Sequence, residues 1–458
     1  MTDDAAAGDR GQGTDRPPGA SASPLRDTDL GRFALAMRSR VAGVEPRDVA
    51  IGIALFAFAF VAYTLVRHDR TAPYDYFVRL ADAFLHGRLG LLDAPGTLNE
   101  LVPVGGMLFV VYPPMPAVVL APFVAIVGPG MDQGFVSILF GAFNVVLAWR
   151  IALRMAVTAR VSLVLALVFG FGTIAWFSAQ VGSAWHIAHV IAITFTFLAI
   201  LVAQRDGPLW LIGALVGATA LTRLPMMLEV VFFLAYIVDR AQRETTGAGL
   251  IAFGRIDVPG IPLRLRPFPT RRFLRLGAPF IATLAAFGMA FLAYDWARFG
   301  SPLETGYTLI PGVTQEWQYA QGLFSLYGIP RTLYAMFLEN PAPITAFPWV
   351  QPRLLGGLSI LLTTPLFLWS IRARAADWFT VGAWLAVGLT LVPILTHPDL
   401  GGNQFGFRYA QDIYPFLFLL TIRGLRGRLS FEAWIAIAVG VVVNVWGMGA
   451  AYFDWWVR

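Results

Sequence analysis

Residues 184–203 read AWHIAHVIAITFTFLAILVA, twenty residues without a formal charge. A helix of that length rises about 30 Å at 1.5 Å per residue, enough to cross the hydrocarbon of a bilayer. Ten further apolar runs accompany it, at about 49–66, 135–153, 160–178, 209–222, 225–238, 277–294, 354–371, 377–396, 409–422 and 431–452. Together they predict an all-α polytopic membrane protein with about eleven transmembrane helices. The composition agrees. Of 458 residues, 57% are hydrophobic and 14% charged, with a mean hydropathy of +0.65. A soluble domain carries roughly a quarter charged residues and could not hide so much apolar surface. The same composition removes whole classes of chemistry. All 34 Lys and Arg positions are Arg, so no Schiff-base or P-loop lysine exists. There is no Cys, which excludes disulfides, thiolate nucleophiles and Cys-ligated metals.

The run 112–128, YPPMPAVVLAPFVAIVG, is apolar but carries Pro113, Pro114, Pro116 and Pro122. Proline removes backbone hydrogen bonds that lipid cannot replace, so the segment is expected at the membrane surface or as a re-entrant piece. Charge placement supports this. With the N-terminus in the cytoplasm, Arg154, Arg160, Arg205, Arg372, Arg374, Arg423, Arg426 and Arg428 fall in cytoplasmic loops, and the 239–276 connection adds eight more Arg. The short external loops hold Arg223 and Arg408. This obeys the positive-inside rule and leaves the C-terminus outside; a crossing at 112–128 would break it. The net charge of +6 is thus mostly a topology signal and an attraction to anionic inner-leaflet lipid, not a nucleic-acid footprint. Residues 1–30, rich in Gly, Pro, Ser and Asp, read as a disordered cytoplasmic tail. Residues 31–458 read as a single transmembrane domain with two long external segments, 67–134 and 295–353.

The first external segment opens RHDRTAPYDYFVRLADAFLHGRLGLLD. From Tyr74 to Leu91 it has the period of an amphipathic helix, with Phe77, Leu80, Ala81, Phe84 and Leu85 near one face. Asp69, Asp75, Asp82 and Asp93 are carboxylates just beyond the first span. Such acids commonly do no more than solvate a polar face. A partly desolvated one also makes a general base for an acceptor hydroxyl, and Asp75 and Asp69 are the candidates. Arg223 lies in the turn TRLP between two runs too short for a whole bilayer, so it is expected below the outer surface, where an Arg is expensive and usually functional. Its planar donor fork suits phosphate; the alternative is an ion pair with Glu229. In GGNQFGFRYAQDIYP, residues 401–415, Asn403, Gln404, Arg408 and Tyr409 offer donors to sugar hydroxyls or a phosphate, while Arg408 and Asp412 are spaced to pair as i, i+4. His186 and His189 share a helix face and suggest a buried pair or a cavity lining more than a metal site. The segment 295–353 holds Trp296, Trp317, Tyr319, Tyr327, Tyr334 and Trp349, which suit sugar faces or an interfacial belt. Glu304 and Glu316 are its spare carboxylates.

The order of pieces over roughly 49–240 (a first span, an acidic loop, a helix ending in HGRL, then YPPMPAVVLAPF and an Arg-terminated span) resembles the GT-C superfamily of membrane glycosyltransferases, which includes protein O-mannosyltransferases, aminoarabinose transferases and mycobacterial lipid-glycan transferases. The resemblance implies a polyprenyl-phosphate-linked sugar donor, a catalytic acid at Asp75 and a Pro-Pro element at Pro113–Pro114. It also implies a phosphate contact from an Arg late in the chain, here Arg408. Two departures stand out: Asp75 is followed by Tyr76 where an acidic pair is common, and Tyr112 stands where some relatives carry Lys. The expected function is therefore transfer of a sugar to a lipid, glycan or protein acceptor at the external face, with inversion. The expected partners are the polyprenyl-phosphate sugar, membrane lipid and a lipid or glycan acceptor, with no nucleic acid. The sequence names no cofactor for certain, and a divalent cation, Mg²⁺ or Mn²⁺, is compatible with the carboxylates. The rival reading is a lipid-linked oligosaccharide flippase or another transporter. Against it stand the lack of an internal repeat and the grouping of Asp69, Asp75, Arg223, Arg408 and both His in the outer half.

Overall fold

The structure, a computed structural model, describes residues 45–67, 74–155, 157–246, 268–374, 377–402 and 404–452. Asp69, Asn403 and the tail 1–30 lie outside the described residues. Two compact units divide at Ile53: Met1–Ile53, described from residue 45, and Ala54–Arg458.

The elements run α1 (Pro46–Leu65), α2 (Tyr76–Leu85), β1 (Leu101–Val104), β2 (Met107–Val110), α3 (Met115–Val127), α4 (Gln133–Leu153), α5 (Ala159–Phe171), α6 (Ala175–Val181), α7 (Ala184–Ala203), α8 (Leu209–Ala220), α9 (Val230–Thr246), α10 (Thr270–Phe299), α11 (Ile329–Phe337), β3 (Ala342–Pro343), β4 (Val350–Gln351), α12 (Ile360–Thr363), α13 (Trp378–Thr396), α14 (Tyr414–Leu425) and α15 (Phe431–Tyr452). This is an all-α membrane architecture with two small hairpins. Among the described residues, α1, α4, α7, α10, α13 and α15 are long and apolar enough to cross a membrane. The pair α5 and α6, bent by 50°, makes a seventh if it is one span.

The other four expected spans are short or broken, for a local reason. Helix α8 has 12 residues, about 18 Å at 1.5 Å per residue. The runs at 225, 354 and 409 each include a tight 3-10 stretch: Leu224–Glu229, Pro365–Arg372 and Arg408–Ile413. Pro225, Pro365 and Pro415 stand in the first turn of a helical piece, where a missing N–H costs nothing. The proline-rich run becomes α3, of 13 residues, with Pro116 in its first turn and Pro122 inside. At about 20 Å it is too short to cross by itself. The amphipathic helix is shorter than its sequence period suggests, ending at His86. Tyr76 and Val78 are buried along with Phe77, Leu80 and Ala81, while Leu85 is exposed, because α2 packs against α3 and the start of α7.

Polar ties set the register between helices. Tyr63 of α1 donates to Gly170 O of α5 at 2.7 Å. Asn144 of α4 donates to Val190 O at 2.9 Å and accepts from Thr194 Oγ1 at 2.7 Å, both on α7. Asp132 caps α4 by accepting from Gly134 N at 3.0 Å and pairs with Arg67 just beyond α1. Helix α8 lies close against α10 at Gly217, where a Cβ would meet the Phe287 ring at 2.6 Å.

Candidate functional site

Helix α7 begins after Ser183 and carries Trp185, His186 and His189 in its first turns. The 3-10 stretch Arg408–Ile413 packs against it. There Asp412 is fully buried and takes a two-pronged contact from Arg223, Nε to Oδ1 at 3.1 Å and Nη2 to Oδ2 at 2.8 Å. His189 Nδ1 lies 2.8 Å from the same Oδ1. Neither structural pairing anticipated from the sequence forms. Glu229 is buried with Thr196 donating to its Oε2 at 2.8 Å, not with Arg223. Asp412 is committed to Arg223 and His189, not to Arg408, because a tight 3-10 turn does not bring i and i+4 together as an α-helix does.

Arg408 is therefore left without a carboxylate. Its side chain is buried, Nη1 donates to Gly402 O at 3.1 Å, Nη2 reaches Tyr409 Oη at 3.4 Å, and Nε has no partner. Among the described residues no acid lies within ion-pair distance of it. Its guanidinium packs on the rings of Trp185 (5.5 Å) and Tyr409 (5.1 Å). Arg223 lies 5.8 Å from the same Tyr409 ring. Two cations thus share one phenol, which itself reaches Asp399 at 3.3 Å. The loop before Arg408 is shaped for this. Gly401 has φ +73°, and a Cβ there would stand 2.9 Å from the Arg408 guanidinium, a backbone and a clearance that only glycine supplies. Gln404 braces the turn, donating to Leu400 O at 2.7 Å and accepting from Arg408 N at 3.2 Å. Its amide is thus spent on the loop.

The β1–β2 hairpin brings in the other side. Leu101 faces Val110 across the ladder, and Glu100 just before it and Tyr112 just after its partner strand both meet Trp185. Trp185 Nε1 donates to Glu100 Oε2 at 3.2 Å and to Tyr112 Oη at 2.5 Å. Glu100 N donates to Tyr76 Oη at 3.0 Å, and the Tyr76 and Tyr112 rings meet edge to face. Burial pushes the Glu100 carboxyl up to about 7. The Trp185 N–H and Arg408 pull it down, whereas Asp399 and Glu316 push it further up. Neither Glu100 nor Trp185 was singled out from the sequence. The stretch LVPVGGMLFV, two apolar runs about a Gly-Gly pair, is a hairpin signal that places Glu100 at its mouth.

Asp75 ends the loop before α2 and accepts from Arg79 Nε at 2.9 Å, about one third exposed. It pairs with its own helix and not with Arg223 or Arg408, although the neighbouring Tyr74 ring lies 4.5 Å from Trp185. His186 is buried with Nδ1 2.8 Å from Ser183 Oγ. Glu304 accepts from Gly306 N at 2.7 Å and shapes its own turn. Among the described residues no three acids or histidines converge as metal ligands would.

An apolar groove of about 620 Å³ runs between α2, α3, the end of α8 and α10, lined by Phe84, Met115, Val118, Leu221, Phe287 and Tyr294 among others. Leu221, which lines the groove and whose O accepts from Met115 N at 3.0 Å, stands two residues before Arg223.

No protein-family model and no curated protein matches the chain. Among solved structures it is similar to ArnT from Cupriavidus metallidurans bound to undecaprenyl phosphate, with a TM-score of 0.48 and 14% identity over 90% of this chain and 66% of that one. It is also similar to the Archaeoglobus fulgidus oligosaccharyltransferase tethered with an acceptor peptide containing the NVT sequon, with a TM-score of 0.44 and 11% identity over 88% and 55%. The chain spans just under two thirds of the first and just over half of the second.

Proposed function

We propose that the chain is a membrane glycosyltransferase. It moves a sugar from a polyprenyl-phosphate carrier to a hydroxyl of a lipid, glycan or protein acceptor, at the external face and with inversion. The observation that carries this reading is Arg408, a buried cation with an unfilled donor and, among the described residues, no acid of its own. An unpaired buried charge is strongly unfavourable, and a phosphate would offset it. Arg223 stands across Tyr409 as a second cation, oriented by Asp412, which is in turn held by His189. Tyr112 and Tyr409 offer hydroxyls at the edges. The apolar groove, lined by Leu221 two residues before Arg223, suits a prenyl chain, and the Arg distribution supports a cytoplasmic N-terminus with the site outside.

In the proposed reaction an external carboxylate takes the proton of the acceptor hydroxyl. The acceptor oxygen forms a bond to the anomeric carbon. The bond from that carbon to the phosphate oxygen breaks, and the electron pair leaves with the phosphate. The growing phosphate charge meets two fixed guanidinium groups, whose orientation is set before reaction, so little reorganisation is needed. Asp75 is the carboxylate that the resemblance nominates, and it pairs with Arg79 at the mouth of the loop.

The test uses purified protein in proteoliposomes with a panel of labelled undecaprenyl-phosphate pentoses and hexoses and lipid-extract acceptors. Transfer by the wild type, with Arg408→Gln losing affinity for undecaprenyl phosphate by at least tenfold, is expected. Unchanged binding in Arg408→Gln would remove the basis of the reading.

A further inference from the structure

Glu100 lies in the first external segment, between the quoted pieces of the resemblance, and the fold brings it near enough to Arg408 for the two charges to interact. The hairpin register sets its backbone, with Glu100 N donating to Tyr76 Oη. The Trp185 indole fixes its side chain by donating to Oε2 at 3.2 Å. The face of that same indole carries the Arg408 guanidinium at 5.5 Å. One ring therefore holds an acid at its edge and the phosphate-seeking cation on its face. Among the described residues Oε1 has no hydrogen-bond partner, and the Asp75 carboxylate, held at Oδ1 by Arg79 of its own helix, has no hydrogen bond to Trp185. A base needs a free oxygen, a fixed position and a place beside the group that holds the leaving phosphate; Glu100 has all three.

We propose that Glu100 is a catalytic residue of this site: its Oε1 accepts the proton of the acceptor hydroxyl during sugar transfer, with Trp185 as the positioning residue. The assignment rests on the glycosyltransferase reading. In the step, the acceptor O–H bond breaks and its proton goes to Oε1. The oxygen pair forms the new bond to the anomeric carbon, and the carbon–phosphate oxygen bond breaks with its pair leaving on the phosphate. Water then takes the proton from Glu100. The surroundings suit a base working near neutral pH. Arg408 favours the ionised acid, Asp399 and Glu316 oppose it, and the phenols of Tyr76, Tyr112 and Tyr307 complete the neighbours. Burial is the largest influence and, set against the Trp185 N–H and Arg408, raises the carboxyl to about 7, where a general base combines an adequate ionised fraction with useful basicity. Asp75 then serves to order the start of α2, whose Tyr74 and Tyr76 flank Trp185 and Glu100.

The experiment measures transfer against pH from 5 to 9 in proteoliposomes, together with binding of undecaprenyl phosphate alone, for wild type, Glu100→Gln and Glu100→Asp. Wild-type kcat/KM is expected to rise through about pH 7 and level off. Glu100→Gln should bind undecaprenyl phosphate within about twofold of wild type while transfer falls roughly 10²–10⁴-fold and the acid limb disappears. Glu100→Asp should keep a limb at a shifted pH. Retained binding in Glu100→Gln shows that the variant is folded. If it does not bind, the decision passes to Glu100→Asp, in which an unshifted limb overturns the proposal. Glu100→Gln with activity within threefold of wild type and the same limb also overturns it, and Asp75→Asn losing the limb instead would assign the base there. If the wild type binds no undecaprenyl phosphate and uses none of the donors, the glycosyltransferase reading itself falls.

Discussion

Replacing Asp412 tests the architecture of the site most directly. The carboxylate is fully buried and receives two bonds from Arg223 and one from His189. Asp412→Ala removes all three and leaves an arginine, its side chain 19% exposed, and a buried imidazole without their common partner. Breaking one side of a buried pair costs about 3–5 kcal/mol because the remaining charge stays uncompensated. For a chain of this length a kcal/mol shifts Tm by roughly 1–2 °C, scaling the unfolding entropy with size, so a fall of about 3–10 °C is expected in detergent. Asp412→Asn keeps one acceptor and should fall by less. The double variant Arg223→Met/Asp412→Leu should regain much of the loss, since an apolar pair of similar volume is often neutral or better than a buried ion pair, yet it should not bind undecaprenyl phosphate as wild type does. The assay is a full double-mutant cycle read by thermal unfolding and lipid binding. A coupling energy between Arg223 and Asp412 below about 0.5 kcal/mol, the level shown by independent sites, would refute the reasoning, because two sharing partners at these distances cannot be independent.

Other outcomes follow from the same geometry. Gly401→Ala adds a Cβ 2.9 Å from the Arg408 guanidinium at a φ of +73°; it should destabilise by about 1–2 kcal/mol and weaken undecaprenyl phosphate binding in a titration. Trp185→Phe removes the N–H that favours ionised Glu100, so the acid limb of transfer should move above pH 7 while Tm changes little. The direction is decisive, since a downward shift would mean that the indole does not stabilise the carboxylate. Asp132→Ala deletes both the α4 cap and the Arg67 partner and should cost about 2 kcal/mol, a cap and a partly buried charged bond together. The chain has no cysteine, so single Cys variants report sidedness. Leu303→Cys should react with an impermeant maleimide on intact cells, and Arg426→Cys only after permeabilisation; the reverse pattern would invert the topology.

The membrane class was legible because apolar length and a scarcity of charge are properties of the chain read one residue at a time. Arg223 and Arg408 were legible for a related reason: an Arg stranded between short apolar runs is conspicuous before folding. The number of spans was not legible, because whether 354–371 or 409–422 forms one helix or a 3-10 stretch followed by a shorter helix turns on prolines and on packing. The amphipathic helix was found but overextended, since periodicity does not show where packing against α3 and α7 ends it.

What the sequence by itself determined is therefore the solvent of the fold, the chemistry it must do without, and the identity of its conspicuous cations. What only the tertiary structure decided is partnership. Asp412 is spaced to pair with Arg408 four residues before it and instead meets Arg223, 189 positions away, with His189 at a similar remove. That choice leaves Arg408 open, and the hairpin places Glu100 against Trp185 across 85 positions. Local spacing proposes partners within one turn of helix, but the energy of a buried charge is set by whichever group packing brings within 3 Å, and that is a property of the whole fold.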